Sequence, residues 1–122
     1  MNFKLINDTL YGQIGLSRIA VQIIDTPIFQ RLRNIKQLGA CSFVFPSATH
    51  TRFEHSIGVA FLAKEFLGAL VSNSDGLNVR GDDYLLVEIA GLCHDLGHGP
   101  FSHAFDNEIL KKEIKDVEEN KI

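Results

Sequence analysis

The 122-residue sequence is poor in the residues that build disulfide or thiolate sites. It has two cysteines, Cys41 and Cys93, and no tryptophan. Two cysteines this far apart cannot form a disulfide framework, and neither has a second cysteine close enough for a thiolate zinc site. The N-terminus also lacks the charged segment and apolar core of a secretory signal. We therefore predict that both cysteines pack in the interior and that the protein is soluble and intracellular, cytoplasmic or nuclear.

The chain also lacks a strong charge of either sign and a long apolar run. Its net charge of −3 argues against a general nucleic-acid or anionic-membrane binder, because such proteins need a basic surface. The longest apolar stretch, residues 57–71, contains Lys64 and Glu65 and falls short of the roughly 18 to 20 residues that span a bilayer. The 45% hydrophobic content, with nine phenylalanines, instead favours one globular domain.

The spacing of apolar residues along most of the chain is that of helices. Residues 2–15 alternate weakly around two turn signals, which predicts a hairpin or an extended lead-in. From Ser17 onwards, apolar residues recur at three- and four-residue spacing, and Thr26 followed by Pro27 is typical of a helix start. We predict helices over residues 17–25, 26–39 and 49–72, then from Asp82 or Asp83 to just after Asp95, and from Pro100 to Glu119. Residues 41–45 are predicted to form a loop or one strand.

The predicted domain occupies residues 1–106. Its longest helix, over residues 49–72, carries apolar side chains around so much of its circumference after Ile57 that it is expected to be central and buried. Residues 107–122 have few apolar positions and include Lys111 and Lys112, so we predict a charged, solvated helical tail.

Four of the five histidines lie in two short segments. Arg52 and His55 are three residues apart and share one helical face. His94 and Asp95 are adjacent and sit where Gly97 ends a helix, so both side chains can reach one cation. Imidazole and carboxylate groups are ligands for a divalent cation that binds phosphate oxygens and activates water, and arginine adds a bidentate phosphate contact.

The turn after this pair carries two more imidazoles. Gly99 and Pro100 fold His98 and His103 back towards the same region, where they can orient water or donate protons. Any one of these histidines alone is more often a core or surface residue, but their joint arrangement favours metal or phosphate chemistry. His50 precedes the helical register of His55, and we interpret it as structural.

These segments resemble a known family. RFEHS (residues 52–56) together with AGLCHDLGHGPFSH (residues 90–103) is similar to the HD-domain superfamily of metal-dependent phosphohydrolases. More narrowly, the chain resembles the SAM-and-HD-domain deoxynucleoside triphosphate triphosphohydrolases. Further agreement lies in KLIND (4–8), IIDTPIFQRLR (23–33) and IKQLG (35–39). The resemblance implies an all-α, HD-domain helical bundle, of which this chain holds the N-terminal part.

The resemblance also implies roles for particular residues. The metal ligands would be His55, His94 and Asp95, holding a divalent ion whose identity (Mn, Mg, Fe, Zn or Ni) stays open. Arg52 would contact substrate phosphate, and His98 and His103 would lie in the active site, with His103 a candidate proton donor. Gln37 and Leu38 match the segment that lies against the deoxyribose. The surface that binds a guanine nucleotide activator (GTP or dGTP) and drives assembly into homo-oligomers would include Lys4, Leu5, Asp25, Gln30 and Arg33.

Two departures from the family pattern stand out. Asp8-Thr9-Leu10-Tyr11-Gly12 lacks the proline and histidine that the family commonly carries there. The family's fourth metal ligand, an aspartate, lies well beyond the His-Asp pair and outside these 122 residues. Asp106, Glu108 and Asp116 are the carboxylates that would have to replace it, and we do not expect them to.

The implied function is hydrolysis of deoxynucleoside triphosphates to deoxynucleoside and inorganic triphosphate. One alternative is a truncated HD-domain remnant that binds nucleotide or a homologous chain without turnover. A second is an HD phosphodiesterase or nucleotidase that acts on another nucleotide, because the His-Asp motif is common to all of these.

Overall fold

The computed structural model describes residues 4–120, and it opens with an antiparallel hairpin. Strand β1 (Lys4–Asp8) pairs with β2 (Gly12–Leu16). The Asp8 carboxylate accepts hydrogen bonds from the backbone N–H groups of Leu10 and Tyr11 at 2.8 and 3.0 Å, and Gly12 has a φ of +71°. The turn therefore closes on a side-chain acceptor and a left-handed glycine. The predicted hairpin is confirmed, although residues 2 and 3 lie outside the described part.

Helices make up the remainder, which confirms the all-α class with a short lead-in. Ser17 Oγ accepts a hydrogen bond from the N–H of Ala20, and Thr26 Oγ1 accepts one from Phe29, as expected for helix N-caps. Pro27 occupies the first turn of its helix, as predicted. The α-helices are α1 (Arg18–Ile24), α2 (Pro27–Gln30), α3 (Arg52–Asn73), α4 (Gly81–Cys93) and α5 (Lys111–Asn120).

The helix predicted over residues 26–39 is wrong beyond residue 34. After α2 the chain tightens into a 3-10 helix, Arg31–Asn34, and Ile35 is extended. The Ile35 carbonyl accepts a hydrogen bond from the N–H of Arg52 at 2.8 Å, and the next residue, Lys36, forms a β-bridge with Thr51. A helical segment cannot offer its backbone to a neighbour in this way, so this tertiary pairing overrides the apolar spacing.

The segment predicted as a loop or strand also differs. Gly39–Phe43 forms a second 3-10 helix, and Gly39 has a φ of +55°. A Cβ at Gly39 would lie 3.2 Å from the Cα of Phe101, so glycine also permits a close approach of two loops.

The two long helices start slightly away from their predicted positions. Helix α3 begins at Arg52 rather than residue 49, with Thr51 as N-cap and the Glu54 carboxylate accepting a hydrogen bond from the Thr51 N–H at 2.9 Å. Helix α4 begins after Arg80, because Asp83 accepts a hydrogen bond from the Arg80 N–H instead of capping the helix itself. Both starts use an acidic residue three positions after the cap.

Helix α4 ends at Cys93, which confirms the predicted stop before Gly97. The last helical segment starts later than predicted, because Phe101 and Ser102 have φ values of +63° and +56°, which a right-handed helix cannot contain. A π-helix over Phe105–Leu110 leads directly into α5. Residues 107–115 are exposed, and the domain boundary at residue 106 stays a prediction.

The core forms where the hairpin, α1, α2 and the adjoining halves of α3 and α4 meet. Helices α3 and α4 run antiparallel and make the most extensive interhelical contact. A Cβ at Gly91 would lie 3.0 Å from the Cα of Ala60, so the two backbones touch at this point. The buried apolar residues are Ile14, Leu16, Ala20, Ile24, Phe29, Leu32, Ile35, Phe53, Ile57, Ala60 and Leu92.

The prediction that α3 is buried along its length is wrong for its second half. The buried positions stop at Ala60, and Phe66 is 66% exposed. By length and composition α3 is the one helix among residues 4–120 that is long and apolar enough to cross a membrane, a property that it has in common with core helices of soluble proteins.

A buried ion pair joins four elements. Glu88 is 1% exposed, and its Oε1 lies 2.6 Å from Lys64 Nζ and accepts a hydrogen bond from the Ser17 N–H at 3.3 Å. Lys64 also donates to the Gly15 carbonyl at 2.8 Å. The pair therefore connects β2 and the start of α1 with α3 and α4. The spacing of apolar residues in the sequence does not predict this contact.

The contact between α3 and α4 gives a first prediction. Gly91→Ala places a methyl group against the Ala60 backbone and should destabilise the fold by about 1 to 3 kcal/mol through overpacking. Gly81→Ala is the matched control in the same helix, since a Cβ there meets nothing within 4 Å. Urea unfolding followed by circular dichroism measures both. Equal stability of the two variants would contradict the close approach.

Candidate metal centre

The antiparallel packing of α3 and α4 brings the first turn of one helix beside the end of the other. His55 Nε2 lies 3.2 Å from His94 Nε2. Asp95 follows the end of α4. Its Oδ2 atom lies 3.4 Å from His55 Nε2, and its Oδ1 atom lies 3.4 Å from His94 Nε2. One ligand atom from each of the three residues lies within 4.8 Å of the others. The structure therefore brings all three predicted metal ligands together.

The chemistry of this group fits a divalent cation. His94 Nδ1 lies 2.6 Å from the Gly91 carbonyl, which can only accept, so Nδ1 carries the proton and Nε2 presents a lone pair. His55 Nε2 points at that lone pair, and this approach needs a proton or a cation between the two nitrogens. Two imidazole nitrogens and a carboxylate form a donor set suited to Mn, Fe, Ni or Zn. Ligand type alone does not select among these metals.

Asp95 is held by a buried arginine. Arg52 Nη1 lies 2.6 Å from Asp95 Oδ2, and the two side chains are 1% and 8% exposed. Arg52 Nε and Nη2 are buried without a hydrogen-bond partner among the described residues. Buried donors without an acceptor are costly, so these groups are suited to an anionic oxygen ligand. The phosphate contact predicted for Arg52 stays a prediction.

His98 extends the group on the other side of Asp95. Its Nε2 lies 3.4 Å from Asp95 Oδ1, and its Nδ1 lies 2.5 Å from Asp106 Oδ2. The exposed His103 ring meets His98 edge-on, with centroids 5.0 Å apart. His98, His103 and Asp106 form a second group of potential ligands, also within 4.8 Å. Asp106 therefore lies with His98 rather than between His55 and His94.

Sequence reasoning missed Arg31. Its Nη2 donates to the backbone carbonyls of Leu96 and His98, at 2.7 and 2.8 Å. These carbonyls flank Gly97, in the turn that carries the histidines. Nothing in the local sequence separates Arg31 from the other arginines of its segment, so only the tertiary fold identifies it.

Burial changes the proton affinity of His55. Desolvation lowers the pKa of its imidazole below the ordinary value of 6.5, while the negative charge of Asp95 opposes that change. His94, Arg52 and His50 lower the pKa further. The neutral form that a metal ligand requires is therefore favoured near neutral pH.

The predicted sugar-facing residues lie beside the same helix start. The Gln37 N–H donates to the His50 carbonyl at 3.0 Å, so the strand-like pairing carries Gln37 to the N-terminal end of α3, near Arg52. Gln37 Oε1 is buried without a hydrogen-bond partner among the described residues. Leu38 is 47% exposed. The structure thus places one unpaired acceptor and one exposed apolar side chain in this segment.

The predicted activator residues are brought together only in part. Gln30 Nε2 donates to the Ile24 carbonyl, next to Asp25, and Gln30 Oε1 accepts from Arg33 Nε, both at 2.8 Å. The Arg33 guanidinium stacks 3.5 Å from the centroid of the Phe53 ring. Lys4 and Leu5 lie on β1, and both are exposed.

The remaining chemically reactive residues are more exposed than predicted or lie outside the site. His50 is exposed. Both cysteines are free and half-buried rather than fully interior, and burial raises the pKa of the Cys93 thiol. Cys93 packs against the core and contributes no ligand to either group. Among the alternative carboxylates, Glu108 belongs to neither group, and the Asp116 side chain lies outside the described part.

The class of protein follows from this helical fold and its paired histidine and aspartate. The family model described as "HD domain" matches residues 52–121, and the chain belongs to that family. The match covers both segments that carry the candidate ligands. The predicted resemblance is confirmed.

Individual relatives narrow this further. The chain is 56% identical over 107 residues to the human deoxynucleoside triphosphate triphosphohydrolase SAMHD1, covering 88% of this chain and 17% of that protein. It is 50% identical over 104 residues to the SAMHD1 homolog of Dictyostelium discoideum, covering 85% of this chain and 20% of the relative. A putative HD domain-containing protein, L394 of Acanthamoeba polyphaga mimivirus, is 44% identical to this chain over 119 residues, which cover 88% of this chain and 26% of the viral protein. The chain therefore spans about a sixth to a quarter of the length of these relatives.

The geometry predicts where a metal ion binds. His94→Ala or Asp95→Ala should weaken Mn²⁺ binding by at least the roughly 10- to 100-fold that loss of a second-shell partner costs. His50→Ala, which removes an exposed imidazole outside the group, should leave the affinity unchanged. Isothermal titration calorimetry measures all three. Equal loss in the His50 variant would contradict this assignment.

The lowered pKa of His55 predicts a pH dependence. The unfolded imidazole titrates near 6.5 and the folded one at lower pH, so the unfolded state binds more protons in between. Folding stability should therefore decrease as the pH falls below about 6.5 and through the folded pKa. Asp95→Asn should lower the His55 pKa further, since it removes the charge that raises it. Titration of the imidazole resonances by NMR measures this, and a higher pKa in Asp95→Asn would contradict it.

Proposed function

We propose that this chain forms the metal-binding part of a hydrolase that converts deoxynucleoside triphosphates to deoxynucleosides and inorganic triphosphate. The observation that supports this proposal most directly is the convergence of His55, His94 and Asp95 beside buried Arg52, two of whose donor groups have no partner among the described residues. The human relative is named for this reaction, and it shares 56% identity across the segments that hold these residues.

The proposed roles follow the positions of the side chains. His55, His94 and Asp95 would hold a divalent ion, which when bound supplies Lewis acidity and a water of lowered pKa. Arg52 fixes Asp95 Oδ2 through Nη1 and has Nε and Nη2 left to donate to phosphate oxygens. Such fixed donors stabilise the charge that develops on phosphorus oxygens during attack.

Proton transfer is assigned to the neighbouring imidazoles. Water attack forms a new oxygen–phosphorus bond at the α-phosphorus and breaks the bond to the 5′-oxygen, which must gain a proton. His103, exposed and against the His98 ring, is the proposed donor. His98 is oriented by Asp106, which holds Nδ1 and directs Nε2 towards Asp95.

Two further features support a deoxynucleotide substrate and its regulation. Gln37 Oε1, buried and unpaired, is a suitable acceptor for a sugar hydroxyl, and Leu38 offers an apolar surface against a deoxyribose. We extend the proposal to a guanine nucleotide activator at Lys4, Leu5, Asp25, Gln30 and Arg33, with assembly into a homo-oligomer. The stacked and hydrogen-bonded arrangement of Arg33 supports a preformed guanidinium at that surface.

The proposal is tested by assaying release of triphosphate from dGTP with Mn²⁺ or Mg²⁺, with and without GTP. Wild-type chain should release triphosphate, Asp95→Asn should lose the activity at least about 100-fold through lost metal and Arg52 contacts, and His50→Ala should retain it. Substrate profiling with nucleoside monophosphates and cyclic nucleotides separates the alternatives. Hydrolysis of those substrates alone would identify an HD nucleotidase or phosphodiesterase, and binding without any turnover would identify a remnant.

A further inference from the structure

The turn that follows α4 has no regular hydrogen bonding to hold it. Beyond Cys93 the chain continues through Asp95 and Gly97, and its short-range backbone bonds run from Leu96 to Cys93 and from His98 to Asp95, each at 3.1 Å. Within residues 4–120, no backbone N–H donates to the carbonyls of Leu96 or His98. Gly97 lies between these two carbonyls and adds no side chain to restrict the turn.

One arginine from a different part of the chain satisfies both carbonyls. Arg31 begins the 3-10 helix that follows α2, and its single Nη2 group donates to Leu96 O at 2.7 Å and His98 O at 2.8 Å. The charge-assisted bonds cross a sequence separation of 65 and 67 residues. Each such bond is stronger than a neutral one. The guanidinium therefore bridges the two sides of Gly97.

The position of His98 depends on that bridge. Its backbone carbonyl is bound by Arg31, while its ring is aligned between Asp95 at Nε2 and Asp106 at Nδ1. Asp106 is a carboxylate and can only accept when ionised, so Nδ1 must carry the proton to bond it. The Asp106 contact therefore selects the Nδ1–H tautomer, and Arg31 holds the backbone that keeps the His98 ring within reach of Asp106.

We infer that Arg31 is a positioning residue of the candidate centre: by binding the carbonyls on both sides of Gly97 it holds the His98 ring against Asp106, the contact that selects the ring's tautomer. The catalytic consequence rests on the function proposed above, because His98 matters for turnover only in that reaction. The tautomer of His98 depends only on contacts within this chain, those of Asp106 and Arg31.

The test is the tautomer of His98 in long-range ¹H–¹⁵N spectra of the metal-free chain at a pH above the imidazole range. Arg31→Met should shift the His98 signals from the Nδ1–H form towards those of a free imidazole. His94 is an internal reference, because its Nδ1 proton is held by Gly91 within α4 and does not depend on Arg31. Arg18→Met is the matched control, since Arg18 is exposed and has no polar partner among the described residues.

A second variant covers the case in which Arg31→Met does not fold. Arg31→Lys keeps a cation but loses the planar fork, so it should shift the His98 signals in the same direction by a smaller amount. Unchanged His98 signals in the folded variants would overturn the inference, and so would a parallel change of His94, which would indicate general loosening. Absence of dGTP hydrolysis alongside the expected spectra would reject the proposed function and leave this assignment in place.

Discussion

The buried pair of Arg52 and Asp95 is the contact on which the rest of the site depends. Each side chain is almost fully excluded from solvent, and their atoms are 2.6 Å apart. A buried charge is tolerated only when it is paired and hydrogen-bonded, so neither residue can be placed without the other. Asp95 then becomes the common neighbour of His55, His94 and His98, each at 3.4 Å from one of its oxygens. The arginine thus fixes the carboxylate that aligns three imidazoles.

Backbone geometry brings these two residues together. Arg52 is the first residue of α3, and its N–H is already bound to the Ile35 carbonyl, while Asp95 follows the last turn of α4. Antiparallel packing at the short distance allowed by Gly91 places these two helix ends side by side. The same pairing of residues 35–37 with 50–52 carries Gln37 to the site. A glycine, an extended segment and a capped helix start therefore assemble the site from three separate parts of the sequence, residues 35–37, 50–52 and 91–95.

The sequence was informative where one segment carries its own signal. Ser17, Thr26 with Pro27, and the break at Gly97 predicted helix boundaries because capping and turn chemistry are local. The convergence of His55, His94 and Asp95 was also predictable, since few functions need histidine and aspartate at that spacing. Features set by distant partners were not predictable: the extended backbone at Ile35, the buried Glu88 beside Lys64, and Arg31 on the turn. The contact of Asp106 with His98 is local, but Phe101 and Ser102 between them have left-handed backbone that their side chains do not predict.

Charge balance at the centre gives an order to ligand binding. Arg52 and Asp95 cancel, Asp106 adds one negative charge, and the lowered pKa of His55 keeps that imidazole neutral. Arg52, Asp95 and Asp106 together carry a formal charge of −1, which disfavours the approach of an anion. A divalent cation reverses the sign to +1 without moving any side chain, and a bound cation is often the largest local charge in such a site. Asp95 would then be shared between the cation and Arg52, whose Nε and Nη2 have no partner among the described residues. For the function proposed above, a cation that binds before the phosphate is therefore the order that these charges favour.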